Sequence, residues 1–326
     1  TKDWLMNSKI KFLEKRKIFY IVSGIFIVIS LGSLFTRGLN PGIDFAGGRN
    51  FIVQFDKSVV PQDIAQDLSN IFGEPPIVKT FGADNQVKIS TKFMIDERSQ
   101  EADEIVDSLL YVGLLPTLGE DVSKDDFFAN YRQSSQKVGP SIAEDIKSKS
   151  VVAIILSLIV IFLYILIRFR KWQYSLGAVV AVVHDVLIVL GVFSLFYTVM
   201  PFSMEIDQAF IAAILTVVGY SINDTVVVFD RLREYLGLYK KRERYIVIND
   251  AINSTISRTF ITSLSTFLVL IAIFIFGGEV IRGFVFALLL GVIIGTYSSL
   301  FIATPIAYEM MKRKEKALPE TNRKKR

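Results

Sequence analysis

The 326-residue sequence predicts an integral membrane protein with six spanning helices and one external α+β domain of ferredoxin-like order. Three observations lead there. Hydrophobic residues make up 51% of the chain and give a mean hydropathy of +0.44, more apolar than an ordinary soluble domain. They fall in blocks at about 18–36, 151–167, 174–197, 208–229, 259–277 and 281–306, each near the ~20 residues that cross ~30 Å of hydrocarbon. Between the first two blocks, residues 37–150 regain charge, Pro and Gly and hold no apolar run of that length.

In chain order, residues 1–17 form a basic segment ahead of the first span, and Thr1 in place of Met points to the back portion of a longer polypeptide or a processed chain. The block at 18–36 reads as a retained anchor. It is longer than a signal-peptide core, and Leu34-Phe35-Thr36-Arg37 offers no small-residue cleavage pattern. Gly42-Ile43-Asp44-Phe45-Ala46-Gly47-Gly48 reads as a tight turn, its glycines permitting positive φ and Asp44 bonding nearby amides, in preference to a catalytic loop. Within 37–150, residues 50–55 read as a strand and 61–72 as a helix with Ile64, Leu68, Ile71 and Phe72 apolar. Strands at 77–81 and 86–91 flank the turn Gly82-Ala83-Asp84-Asn85, a second helix covers 101–112, and a last strand lies near 126–138. That order, β-α-β-β-α-β, is ferredoxin-like, and about 100 residues suffice for a separate core. With no His, no paired carboxylates on one face and no phosphate-cradling loop, it reads as a docking or binding module and not as an enzyme. Gly139-Pro140 and a capping Ser141 then open the helix into the five further spans of 151–308, followed by a basic tail at 309–326.

Charge sets the orientation. Basic residues cluster at Lys9 to Lys17, at Arg168, Arg170 and Lys171, at Arg231 to Arg244, and from Lys312 to Arg326. These clusters alternate with segments lacking such runs, so the positive-inside rule puts both termini in the cytoplasm and 37–150 outside. The net charge of +5 is a lipid-facing feature of these loops and does not point to nucleic acid. The absence of Cys excludes a disulfide framework and thiolate metal sites; neither a cofactor nor a metal is expected.

Polar residues inside the spans are the candidate site. Asp224 sits in an apolar stretch where an ionised carboxylate costs about 2.5–3.5 kcal/mol, which points to an ion or proton path; the alternative is polar glue between helices. Ser221, Asp224, Thr225 and Val228 share a helix face, with Gly219 and Asn223 beside it. On the next span Arg258, Thr262 and Ser265 line one face; Arg258 either meets Asp224 or snorkels to the membrane surface. His184-Asp185, the only His beside a carboxylate at mid-span, reads as a proton relay or as structural glue. Neighbours on a helix point about 100° apart, so each is expected to contact another helix and not its neighbour. Gly291 and Gly295 read as close-packing positions.

Together these strings resemble the SecF family, the smaller half of the bacterial SecD–SecF accessory complex of protein export. The resemblance rests on Gly42 to Gly48, Val218 to Arg231, Ile256 to Ser263 and Gly291 to Ser299, and runs from about Arg16 to Met310. The Gly-Gly string is shared with SecD; the single small external domain favours SecF. The resemblance implies half of a transporter of the resistance-nodulation-division (RND) type, in the bacterial inner membrane, that uses the proton gradient to draw secreted polypeptide from the SecY channel. Implied partners are SecD, separate or fused upstream of Thr1, the SecYEG channel, YajC and YidC, with unfolded polypeptide as cargo. Asp224 and Arg258 match the family's proton-path positions, with Ser221, Asn223, Thr225, Thr262, His184 and Asp185 as supporting polar residues. A six-helix half also leaves polar groups unsatisfied, so the Ser221–Thr225 face is expected to meet the SecD half. Two other readings stay open: a non-transporting scaffold that holds polypeptide, and half of a lipid or drug exporter.

Overall fold

The computed structural model describes residues 10–97, 99–119 and 121–316. Of the expected N-terminal segment and basic tail, residues 1–9 and 317–326 lie outside the described residues. The elements run α1 (Phe12–Thr36), α2 (Ile43–Ala46), β1 (Gly48–Gln54), α3 (Pro61–Phe72), β2 (Ile77–Phe81), β3 (Ala83–Thr91), α4 (Gln100–Leu118), α5 (Lys124–Asp126), β4 (Arg132–Val138), α6 (Pro140–Phe169), α7 (Trp172–Phe196), α8 (Gln208–Leu238), α9 (Arg244–Phe276), α10 (Glu279–Ser298) and α11 (Thr304–Lys316). Six helices are long and apolar enough to cross a membrane: α1, α6, α7, α8, α9 and the helix that continues from α10 through a π-helical turn into α11.

Small residues decide how these helices pack. A Cβ on Gly191 of α7 would stand 2.7 Å from the Ser30 Cα of α1, and one on Gly291 of α10 would stand 2.8 Å from the Val217 Cβ of α8. Without side chains at those points the helix backbones approach closely, the usual route to helix association where lipid offers no hydrophobic drive. Ser33 and Ser194 hydroxyls meet at 2.8 Å in the same α1–α7 seam, and Ser194 donates to the Gly38 carbonyl at 2.6 Å. The result is an inner layer of α7, α8 and α10, while α1, α6 and α9 keep long apolar flanks outward.

The domain between α1 and α6 is a four-stranded antiparallel sheet of order β2-β3-β1-β4 with α3 and α4 on one face, the ferredoxin-like arrangement. Alternation along β1 explains its two faces. Phe51 and Val53 enter the core with Val87, Ile89, Leu68 and Leu110, while Asn50 and Ile52 point the other way, toward the helix bundle. Two local expectations are corrected. Of the strand expected at 126–138, residues 126–131 are helical turns, because the Ser123 hydroxyl accepts from the Asp126 amide and Phe127 is buried in the core. Ala83 to Asn85 belong to β3, Ala83 pairing with Phe81 while the Asp84 and Asn85 carbonyls accept from the Val59 and Phe55 N–H groups, so the hairpin turns at Gly82 alone, whose φ of +82° only glycine takes without strain.

Candidate functional site

Asp224 lies on α8 with its carboxylate turned into the bundle. Ser221, Asp224, Thr225 and Val228, on one face by helical spacing, are all buried. The Ser263 hydroxyl of α9 donates to Asp224 Oδ2 at 3.4 Å, and Thr296 Oγ1 of α10 lies 2.6 Å from Ser263 Oγ. A file of hydroxyls thus joins α8, α9 and α10 at the carboxylate. The expectation that the Ser221–Thr225 face meets a second half is overturned: it packs inside this chain. Gly295, whose Cβ would stand 3.0 Å from the Ser221 Cβ, lets α10 cover that face. The outward side of α8 carries Gly219 and Asn223 instead, both exposed.

Arg258 and Asp224 form no ion pair within 4 Å among the described residues. The carboxylate stands level with Ser263, and Arg258 lies five residues earlier on α9, about 7.5 Å along the axis. Its side chain lines a cavity of about 940 Å3 with Arg168, Asp230, Arg231, Glu234 and Ser254. Arg168 is bound to Asp230 at 2.8 Å and Arg231 to Glu234 at 2.7 Å. Thr262 turns its hydroxyl back onto the Arg258 and Thr259 carbonyls of its own helix.

His184 and Asp185 do pair, against expectation: Nδ1 lies 2.9 Å from Asp185 Oδ1. Nδ1 is the ring nitrogen nearest the backbone, so a short Asp side chain spans the 100° between the two positions. The interhelical contacts expected of them also occur. Asp185 Oδ2 accepts from Ser221 of α8 at 2.6 Å and from Ser298 of α10 at 2.7 Å, and the imidazole stacks on Tyr297. Ser263, Thr296 and Ser298 are not among the site residues that the sequence singles out; their hydroxyls in apolar runs are the available signal.

The glycine motif is a joint between domain and bundle. Ile43 to Ala46 make one helical turn, Gly47 has φ of +69° and Gly48 +148°. Asp44 does not bond a nearby amide. Its carboxylate accepts from the Gln208 N–H, 3.0 Å away at the start of α8, where a free amide and the helix dipole favour an anion. Gly42 N–H donates to the Ile206 carbonyl at 2.9 Å and Ile206 N–H to the Asn40 carbonyl at 2.8 Å. Lys88 of β3 reaches Glu205 at 2.6 Å across the same seam. Burial, helped by the neighbouring Asp44 and Glu205 carboxylates, pushes the Asp207 carboxyl up despite its bond from the Phe210 amide. Asp44→Ala is expected to cost about 1 kcal/mol, the worth of one such bond, with Asp44→Asn milder because an acceptor oxygen remains; thermal unfolding of the purified chain measures both.

Residues 120–313 match the family model for the protein export membrane protein SecD/SecF, C-terminal, and residues 32–59 match the SecD/SecF GG motif. The protein translocase subunit SecF of Rhodothermus marinus is 46% identical over 94% of this chain and 95% of its own length. The chain belongs to the SecF family. The SecF subunit of Haemophilus influenzae is 38% identical, over 95% of this chain and 88% of its own. Among solved structures, SecDF of Thermus thermophilus, described as a translocon-associated membrane protein, superposes with a TM-score of 0.78 at 28% identity over 95% of this chain. This chain spans 40% of the length of that SecDF chain. The fold class is the expected one, a six-helix half of RND type with one α+β domain.

Proposed function

We propose that this chain is the SecF half of a SecD–SecF complex in the bacterial inner membrane, where it couples the proton gradient to late export of secreted polypeptide. The observation that carries the reading is the buried Asp224: a carboxylate 4% exposed among spanning helices, with one hydroxyl, that of Ser263, and among the described residues no cation bonded to it. An ionised group so placed is costly, and taking up a proton removes the cost. Arg258, in the open cavity a turn and a half away, is the charge that attracts the carboxylate when the proton leaves. Protonation switches that attraction off and lets α8 shift against α9. Asp44 ties the far end of α8 to the glycine joint, so such a shift is passed to the α+β domain. The buried Ser221 and Thr225 shape the helix contacts around the carrier, Thr262 is exposed and bonds only its own helix, and the exposed Asn223 and Gly219 belong to the surface that meets SecD.

The activity makes this chain an accessory subunit and not an enzyme, serving the SecYEG channel in company with YajC and YidC. Orientation follows from charge. Ile10 on Asn253, Arg16 on Glu309 and Arg168 on Asp230 gather the basic corners at one end of the bundle, opposite the α+β domain, which supports cytoplasmic termini. Because the chain holds no Cys, a single cysteine at the exposed Asp84 reads the topology directly. Reaction with a membrane-impermeant thiol reagent in intact cells is expected; labelling only after lysis reverses the orientation. Export into inverted vesicles with and without a proton gradient tests the coupling itself.

A further inference from the structure

The His184–Asp185 pair stands apart from the Asp224 file. It lies on α7 where that helix meets α8 and α10, and the mechanism above makes no use of it. His184 is 3% and Asp185 1% exposed. All the acceptor capacity that Asp185 directs at α8 and α10 is taken: Oδ2 receives the Ser221 and Ser298 hydroxyls, so that oxygen is held as an acceptor. Oδ1 faces His184 Nδ1, which carries the hydrogen of that contact when Asp185 is ionised. In that state the ring is the Nδ1–H form and the Nε2 lone pair is free. Nε2 is fully buried and has no hydrogen-bond partner among the described residues. A buried polar atom with nothing to bond is costly unless something arrives to satisfy it. The titratable group facing the ring from a neighbouring helix is Tyr297 of α10, whose hydroxyl is engaged with Ser23 of α1 at 3.0 Å. Asp224, one turn beyond Ser221 on α8, is the nearest acidic group along that helix. The hydrogen bonds and ion pairs of the described residues give Asp185 no cation other than His184.

We infer that His184 and Asp185 form a second proton-binding site within the bundle, with Nε2 as the accepting atom and Asp185 as the group that orients it. The charge count supports this. A neutral ring beside a carboxylate leaves the pair at one net negative charge in an apolar interior; a proton delivered to Nε2 from water gives imidazolium and carboxylate, net zero. Ser221 and Ser298 then report the pair's state to α8, which carries Asp224, and to α10, which carries Thr296. This inference rests on the proton-coupled reading but is tested without it.

His184 is the only histidine in the chain, so labelling histidine with 15N gives a single imidazole to observe in the complex with SecD, prepared in lipid without a histidine tag. The expected result is an Nδ1–H tautomer in alkaline buffer that converts to imidazolium as the pH is taken from about 8 to about 5. A ring that keeps one state throughout that range, or an Nε2–H tautomer, overturns the inference, and this needs no variant. Asp185→Asn removes the charged acceptor and should shift the tautomer ratio by about tenfold or more; an unchanged ratio in an assembled complex overturns the orienting role. The spectrum reads His184 whether or not export responds to the gradient. Proton uptake with gradient-independent export would sink the motor and leave this site standing.

Discussion

Asp224→Asn is expected to assemble with SecD and to lose the gradient-stimulated part of export entirely, falling to the rate measured without a gradient. Asn keeps the size of the side chain and an acceptor oxygen for Ser263, so the hydroxyl file through Ser263 and Thr296 survives. What disappears is the change of charge. If proton uptake is the event that moves α8, a group that never ionises holds the bundle in one state. Arg258→Lys is the companion: charge persists in the open cavity, but the planar fork and its reach are lost, so partial impairment is expected. Full gradient stimulation in an Asp224→Asn complex would return the residue to a bond between helices and remove the proton-carrier reading.

Gly191→Val is expected to give the largest loss of stability. A Cβ there collides with the whole of Ser30, its Oγ and Cβ first and then its Cα at 2.7 Å, so moving the hydroxyl is not enough and the α1 and α7 backbones have to part. Overpacking in a tight interior costs about 1–3 kcal/mol, and displaced backbone puts this case at the upper end. The Ser33–Ser194 bond and the Ser194 bond to the Gly38 carbonyl lie in the same seam and would go with it. Thermal denaturation of the detergent-solubilised complex measures the loss. Ser30→Gly in the same chain should recover only part of it, because the Ser30 backbone remains in the way; complete tolerance of Gly191→Val would mean that α1 and α7 are free to separate.

Sequence alone determined what is set by length, composition and period. Six apolar runs of spanning length have one stable answer in hydrocarbon, where each backbone group must be bonded within its own helix. The order of strands and helices in the α+β domain was legible because alternation and helical spacing mark which residues must be buried. Asp224, His184 and Asp185 were legible as candidates because charge in an apolar run is expensive enough to stand out. Partners in space were not. Asp44 turned out to serve an amide 164 residues away, a contact made only once the segment around Pro41 and the loop before α8 lie side by side. That the Ser221–Thr225 face points inward, and that Asp224 finds Ser263 and not Arg258, depends on how far α10 and α9 slide against α8. Glycines at 291 and 295 set that approach, and a one-dimensional pattern carries the spacing of small residues but not which helix they admit. Hydroxyls such as Ser298 gain meaning only when folding carries them to a buried carboxylate, because a single Ser in a membrane helix costs little and leaves no signal of its own.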